Sequence, residues 1–145
     1  MRALLDTNVL ISYLLRPLPD RYPTIAIDAA LGGAYTILLP EELIAELSDK
    51  IETKRYLTNR ISRAESRVLI AALSSVGEPL PTITESFPAI GRDRRDDWVL
   101  AYAVVYHADF IVTGDDDLLS LGSLAHVAIV TPAEFAARLA AQADT

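Results

Sequence analysis

Short apolar runs alternate along the chain with longer segments in which apolar residues recur every three or four positions. The runs Ala3-Leu4-Leu5, Tyr35 to Leu39, Phe110-Ile111-Val112 and Val127 to Val130 end on Asp6, on Pro40, near Gly114 and on Thr131. Runs this short, rich in branched aliphatic residues and bounded by turn formers, predict buried strands. The segments between them predict helices. Thr24 to Leu31 stops at Gly32-Gly33, a glycine stop of the usual kind. Glu41 to Glu52 carries Leu43, Leu47 and Ile51 at spacing four, with Glu42, Glu46 and Lys50 on a second face. Ser62-Arg63-Ala64-Glu65 has the form of a capping box, and Val68, Leu69, Ala72 and Leu73 continue one apolar face. Thr131-Pro132-Ala133-Glu134 repeats that device with proline at the first helical position. Asp96 to His107 places Leu100, Ala103 and Val104 on an apolar face.

Strands and helices in alternation imply a parallel sheet covered on both faces. The least regular stretch, Gly77 to Arg95, holds Pro79, Pro81 and Pro88, and one short strand is expected there around Leu80 to Thr84. No repeat, low-complexity stretch or linker divides the sequence. The pattern therefore predicts one three-layer αβα domain over residues 1–145, built on a central parallel sheet.

Ligand sites of open α/β sheets lie outside the carboxyl ends of the strands, and the acids fall there. Asp6 closes the first strand, and Asp115, Asp116 and Asp117 follow the Phe110 to Val112 strand across Thr113-Gly114. Asp96 and Asp97 open the helix leading into that strand, and Glu46 lies in the helix after the second strand. Taken singly, an aspartate in such a place is more often a helix cap than a catalyst. Together they form a set that would repel itself without a cation. Oxygen ligands without histidine or cysteine select magnesium or manganese, ions suited to phosphoryl-transfer chemistry.

Composition narrows the classes further. With 145 residues, 51% hydrophobic and 23% charged, the chain is an ordinary globular domain in size and make-up. It has no cysteine, which excludes disulfides, thiolate metal sites and a cysteine nucleophile. An early aspartate at position 6 leaves no room for a secretory apolar region, and Trp98 to Tyr106 is too short to span a membrane. A soluble, cytoplasmic protein without a membrane partner is expected.

Twenty acidic residues against 13 basic ones give a net charge of −7, which argues against indiscriminate coating of nucleic acid. The cations are nevertheless concentrated. Lys50, Lys54, Arg55, Arg60, Arg63 and Arg67 stand against only Glu52 and Glu65, a local balance of +4, and Arg92, Arg94 and Arg95 flank the acidic pair. Lys54 and Arg55, with that second cluster, are candidate contacts for nucleic-acid phosphates. Tyr56 is either a base-stacking residue or a partly buried one, Trp98 and Tyr102 either core or a dimer surface, and His107 a helix C-terminal residue.

These residues resemble the PIN-domain ribonucleases, in particular the VapC-like toxins of type II toxin–antitoxin pairs. Leu4-Leu5-Asp6-Thr7-Asn8-Val9-Leu10 is similar to the opening strand, acid and helix of that family, and Leu39-Pro40-Glu41-Glu42-Leu43-Ile44-Ala45-Glu46-Leu47 to its second acidic helix. Asp93-Arg94-Arg95-Asp96-Asp97, followed by Ala108-Asp109-Phe110-Ile111-Val112-Thr113-Gly114-Asp115, carries the most specific likeness. Relatives commonly have proline after the first aspartate of that run, where Arg94 and Arg95 stand here.

The resemblance implies an acidic quartet of Asp6, Glu46, Asp96 and Asp115 holding one or two Mg²⁺ or Mn²⁺ ions. Counting back from Ala103 favours Asp96 and counting back from Thr113 favours Asp97, so Asp97 is the alternate ligand. Asn8 and Thr113 would orient carboxylates or waters, and Asp117 is either an outer acid or a solvated loop residue. An RNA phosphodiester would be hydrolysed to a 5′-phosphate and a 3′-hydroxyl. A cognate antitoxin and a homodimer are the partners implied.

Three other readings fit parts of the pattern. A DNA-directed or structure-specific nuclease would use the same acids. A phosphatase or receiver-like domain would want a second aspartate where Asn8 stands. A non-catalytic α/β binding module would keep the acids as structure.

Overall fold

The computed structural model describes residues 1–83 and 97–144. Six strands form one sheet: β1 (Arg2–Leu5), β2 (Thr36–Pro40), β3 (Glu78–Leu80), β4 (Phe110–Val112), β5 (Ser123–Leu124) and β6 (Val127–Val130). Their order is β3-β2-β1-β4-β6-β5, parallel throughout except for β5, which pairs antiparallel with β6 at the edge. The sheet is thus mostly parallel, not wholly so.

Alternation along the strands builds two cores. Ala3, Leu5, Ile37, Leu39, Val112 and Val130 point to one face. There they meet α1 (Thr7–Leu15), α2 (Tyr22–Leu31), α3 (Glu41–Thr53), the single turn α4 (Arg55–Thr58), α5 (Arg63–Val76) and α8 (Pro132–Ala143). Leu4, Leu38, Leu80, Ile111 and Ile129 point to the other face, against α6 (Asp97–Val105) and Leu118 of the short α7 (Asp116–Leu119). Successive strand residues face opposite ways, so a strand covered on both faces must be apolar at every position. The result is a three-layer α/β/α sandwich.

Several boundaries differ from the sequence pattern. The third strand starts at Glu78 because it pairs in register with Leu38 to Pro40 of β2, and Pro79 is tolerated because β3 is an edge strand. Residue 84 of the expected strand lies outside the described residues. Tyr35 stands before β2; its hydroxyl donates to the Ala26 carbonyl oxygen at 2.7 Å, tying the loop to α2. Val68, placed by periodicity on the apolar face of α5, is 69% exposed, whereas Leu69 and Leu73 are buried. Both expected caps form, the box at Thr131 completely and the one at Ser62 through one of its two bonds. Thr131 and Glu134 form a complete capping box, and Ser62 Oγ accepts the Glu65 N–H at 3.1 Å. Tyr102 is buried core, and Trp98 packs edge-on to it from a half-buried position. His107 sits in the turn after α6 at φ 56°, a helix-terminal residue as expected. No helix among the described residues is long and apolar enough to cross a membrane.

Candidate active site

The chain builds outward from β1 in two directions, to β2 and β3 on one side and to β4 and β6 on the other. Adjacent β1 and β4 therefore bracket the switch point, where the carboxyl ends of neighbouring strands open a crevice. Asp6 and Thr113 are the residues that immediately follow these two strands. The Asp6 N–H donates to the Val112 carbonyl oxygen at 2.9 Å and the Thr113 N–H to the Val130 carbonyl oxygen at 2.9 Å. Backbone pairing thus fixes both residues before any side chain acts.

Asp6 is only 5% exposed. Burial is the main cause of a carboxyl pKa raised above the usual 3.8. A hydrogen bond from Thr113 works against that rise, the Glu46 charge adds to it, Lys50 opposes it and Asp115 adds to it. The charges of Glu46 and Asp115 therefore both bear on Asp6. Thr113 Oγ1 donates to Asp6 Oδ2 at 2.8 Å and accepts the Asp115 N–H at 3.0 Å, so one hydroxyl joins two acids.

Glu46 reaches the site from the middle of α3. Thr7 Oγ1 donates to its Oε2 at 2.8 Å, and Lys50, one helical turn on, places Nζ 3.1 Å from its Oε1. The Lys50 ammonium also donates to Asn8 Oδ1 at 3.3 Å. Asp115 caps α7: its Oδ1 accepts the Asp117 N–H at 2.8 Å. Asp117 lies in the first turn of that helix, not in a loop.

The structure brings Asp6, Asn8, Glu46, Thr113 and Asp115 to one edge. Asp97 is the first residue of α6, whereas Asp96, Arg92, Arg94 and Arg95 lie outside the described residues. Lys54 and Arg55 stand at the junction of α3 and α4, exposed. Eight residues past Glu46, Lys54 is about 12 Å further along the helix axis, so this cluster is not part of the acidic edge. Tyr56, 60% exposed, is a surface residue and not a partly buried one. Thr7 and Lys50 were not legible as site residues. Thr7 lies inside the opening motif, and Lys50 shares the Glu46 face at spacing four; that spacing was the available signal.

Among the described residues no three acids converge closely enough to hold a metal ion by themselves. The donors are nonetheless all oxygen, and Asp6 is buried among like charges that Lys50 offsets only in part. That chemistry fits a hard divalent ion such as Mg²⁺ or Mn²⁺.

Fold and edge together define the class: a three-layer α/β domain with carboxylates at its switch point, an arrangement suited to phosphodiester hydrolysis. The chain belongs to the PIN-domain family, whose model matches residues 2–117, from β1 into α7. PIN domains are in general nucleases, hence hydrolases. No curated protein matches the chain.

Proposed function

We propose that the acidic edge is the active centre of an Mg²⁺- or Mn²⁺-dependent endoribonuclease, the toxin of a toxin–antitoxin pair. The observation that carries this reading is the buried Asp6 carboxylate, held at the switch point with the charges of Glu46 and Asp115 bearing on it. Asp6, Glu46 and Asp115 would hold the ion, with Asp96 or Asp97 as the fourth acid.

When bound, the ion supplies the positive charge that activates a water and stabilises the leaving oxygen. The chain supplies position. Thr113 fixes Asp6, Thr7 fixes Glu46 and the Asp117 N–H fixes Asp115, as outer residues hold ligands in metal sites generally. Exposed Lys54 and Arg55 offer a basic surface beyond the acids for a longer RNA strand, and Arg92, Arg94 and Arg95, which flank Asp96 and Asp97 in the sequence, are the other phosphate contacts proposed. An antitoxin that covers the acidic edge and a second copy of the chain are the proposed partners, in the cytoplasm.

Labelled RNA and DNA of matched sequence, incubated with the protein and Mg²⁺, test the substrate. RNA should be cut to 5′-phosphate ends, DNA left intact, and EDTA should stop the reaction. Equal cutting of DNA would replace this reading with a DNA-directed or structure-specific nuclease. No cutting of either would leave a binding module.

A further inference from the structure

Asp6, Glu46 and Asp115 each have one oxygen tied by an uncharged donor of the chain. For Asp6 it is Oδ2, held by Thr113; for Glu46, Oε2, held by Thr7; for Asp115, Oδ1, held by the Asp117 N–H. The second oxygen of Glu46 is engaged differently, because Oε1 faces the Lys50 ammonium at 3.1 Å. Lys50 also bridges to Asn8, and its charge favours the ionised form of Asp6. One ammonium thus acts on three residues of the edge.

We propose that Lys50 is a placeholder cation, holding the free oxygen of Glu46 until a divalent ion displaces it. This rests on reading the acidic edge as a divalent-ion site. The pair is built to be broken. Its side chains are 27% and 28% exposed, so water can solvate the departing ammonium, and partly exposed pairs at this spacing are weak. A flexible four-carbon stem lets the ammonium swing away without moving α3. Two consequences follow for Lys50 as a positioning residue. The acids stay assembled without metal, and ion affinity is held below what the carboxylates alone would give. Once displaced, the ammonium remains tethered at the rim of the site, available to an anionic substrate.

Mn²⁺ titration of the full chain without nucleic acid, at constant ionic strength, tests this in wild type, Lys50→Met, Lys50→Gln and Lys50→Arg. Removing a competing charge a few ångströms away should tighten Mn²⁺ binding roughly fivefold in the Met and Gln variants. Their metal-free forms should melt below wild type, and Lys50→Arg should bind Mn²⁺ as weakly as wild type. A Met or Gln variant that melts lower but binds Mn²⁺ no more tightly would reduce Lys50 to a structural ion pair and overturn the inference alone. Absence of Mn²⁺ binding in every form would overturn the divalent-ion reading and this inference with it. Binding that appears only in the uncharged variants would be its strongest support.

Discussion

Asp6→Asn is expected to abolish divalent-ion-dependent cleavage and yet, free of metal, to melt above wild type at neutral pH. The loss of activity should be at least about a hundredfold, since changes merely to residues that support ligands already cost 10–100-fold. The gain in stability has a separate cause. Asp6 is buried beside Glu46 and Asp115, and its carboxyl pKa is raised. A raised carboxyl binds its proton more tightly folded than unfolded, so the stabilisation it provides is full below 3.8 and lost as pH climbs through the folded value. Asparagine carries no charge at any pH and keeps an oxygen for the Thr113 hydroxyl. The variant's advantage should therefore open as pH rises above about 4 and level off above the Asp6 titration. Melting curves in EDTA across that range check it. A variant that melts below wild type at every pH would show that the Asp6 charge is satisfied by the protein alone.

Gly77→Ala should be the most damaging of the conservative substitutions outside the site. Gly77 joins α5 to β3, and its N–H donates to the Leu73 carbonyl oxygen at 2.7 Å. A Cβ there would lie 2.7 Å from both Ile37 Cγ2 and Ile37 O, and 2.9 Å from Leu73 O. Two of these are backbone atoms of elements packed on each other, β2 and α5, so neither can yield alone. The Gly77 φ of −98° is open to any residue, which makes the cost one of contact rather than backbone strain. Overpacking of this kind costs about 2–3 kcal/mol. At roughly 2–4 °C per kcal/mol for a chain of this size, the midpoint should fall by about 4–12 °C. Urea unfolding of wild type and variant measures it, and a difference under about 0.5 kcal/mol would mean that α5 and β2 part freely.

Much of this architecture was legible because strands covered on both faces must be apolar throughout. Leu4-Leu5 and Ile111-Val112 announce themselves in this way. Helix α1 did not stand out by period, because Val9, Leu10 and Ile11 are buried in succession and leave no polar face to set one. The edge strand β5 is two residues long, too short for any pattern, so its antiparallel pairing appears only in the folded sheet. Asp6 and Asp115 were readable from their places after apolar strands. Glu46 needed the family likeness, since a glutamate inside an amphipathic helix is ordinarily a solvated one. Thr7 and Lys50 escaped because their roles are tertiary. Thr7 meets Glu46 across 39 positions of sequence, and Lys50 matters through Asn8 and Asp6 as well as through its helical neighbour.

Whether the acids at the switch point hold a divalent ion is decided by melting wild type and Asp6→Asn side by side near neutral pH, in EDTA and then in excess Mn²⁺. At a hundredfold excess over its dissociation constant, an ion bound by the folded state adds about 2.7 kcal/mol. Wild type should therefore melt roughly 5–10 °C higher with Mn²⁺ than without, while Asp6→Asn should barely move. Equal shifts in both proteins, or none in wild type, would contradict a metal site at Asp6.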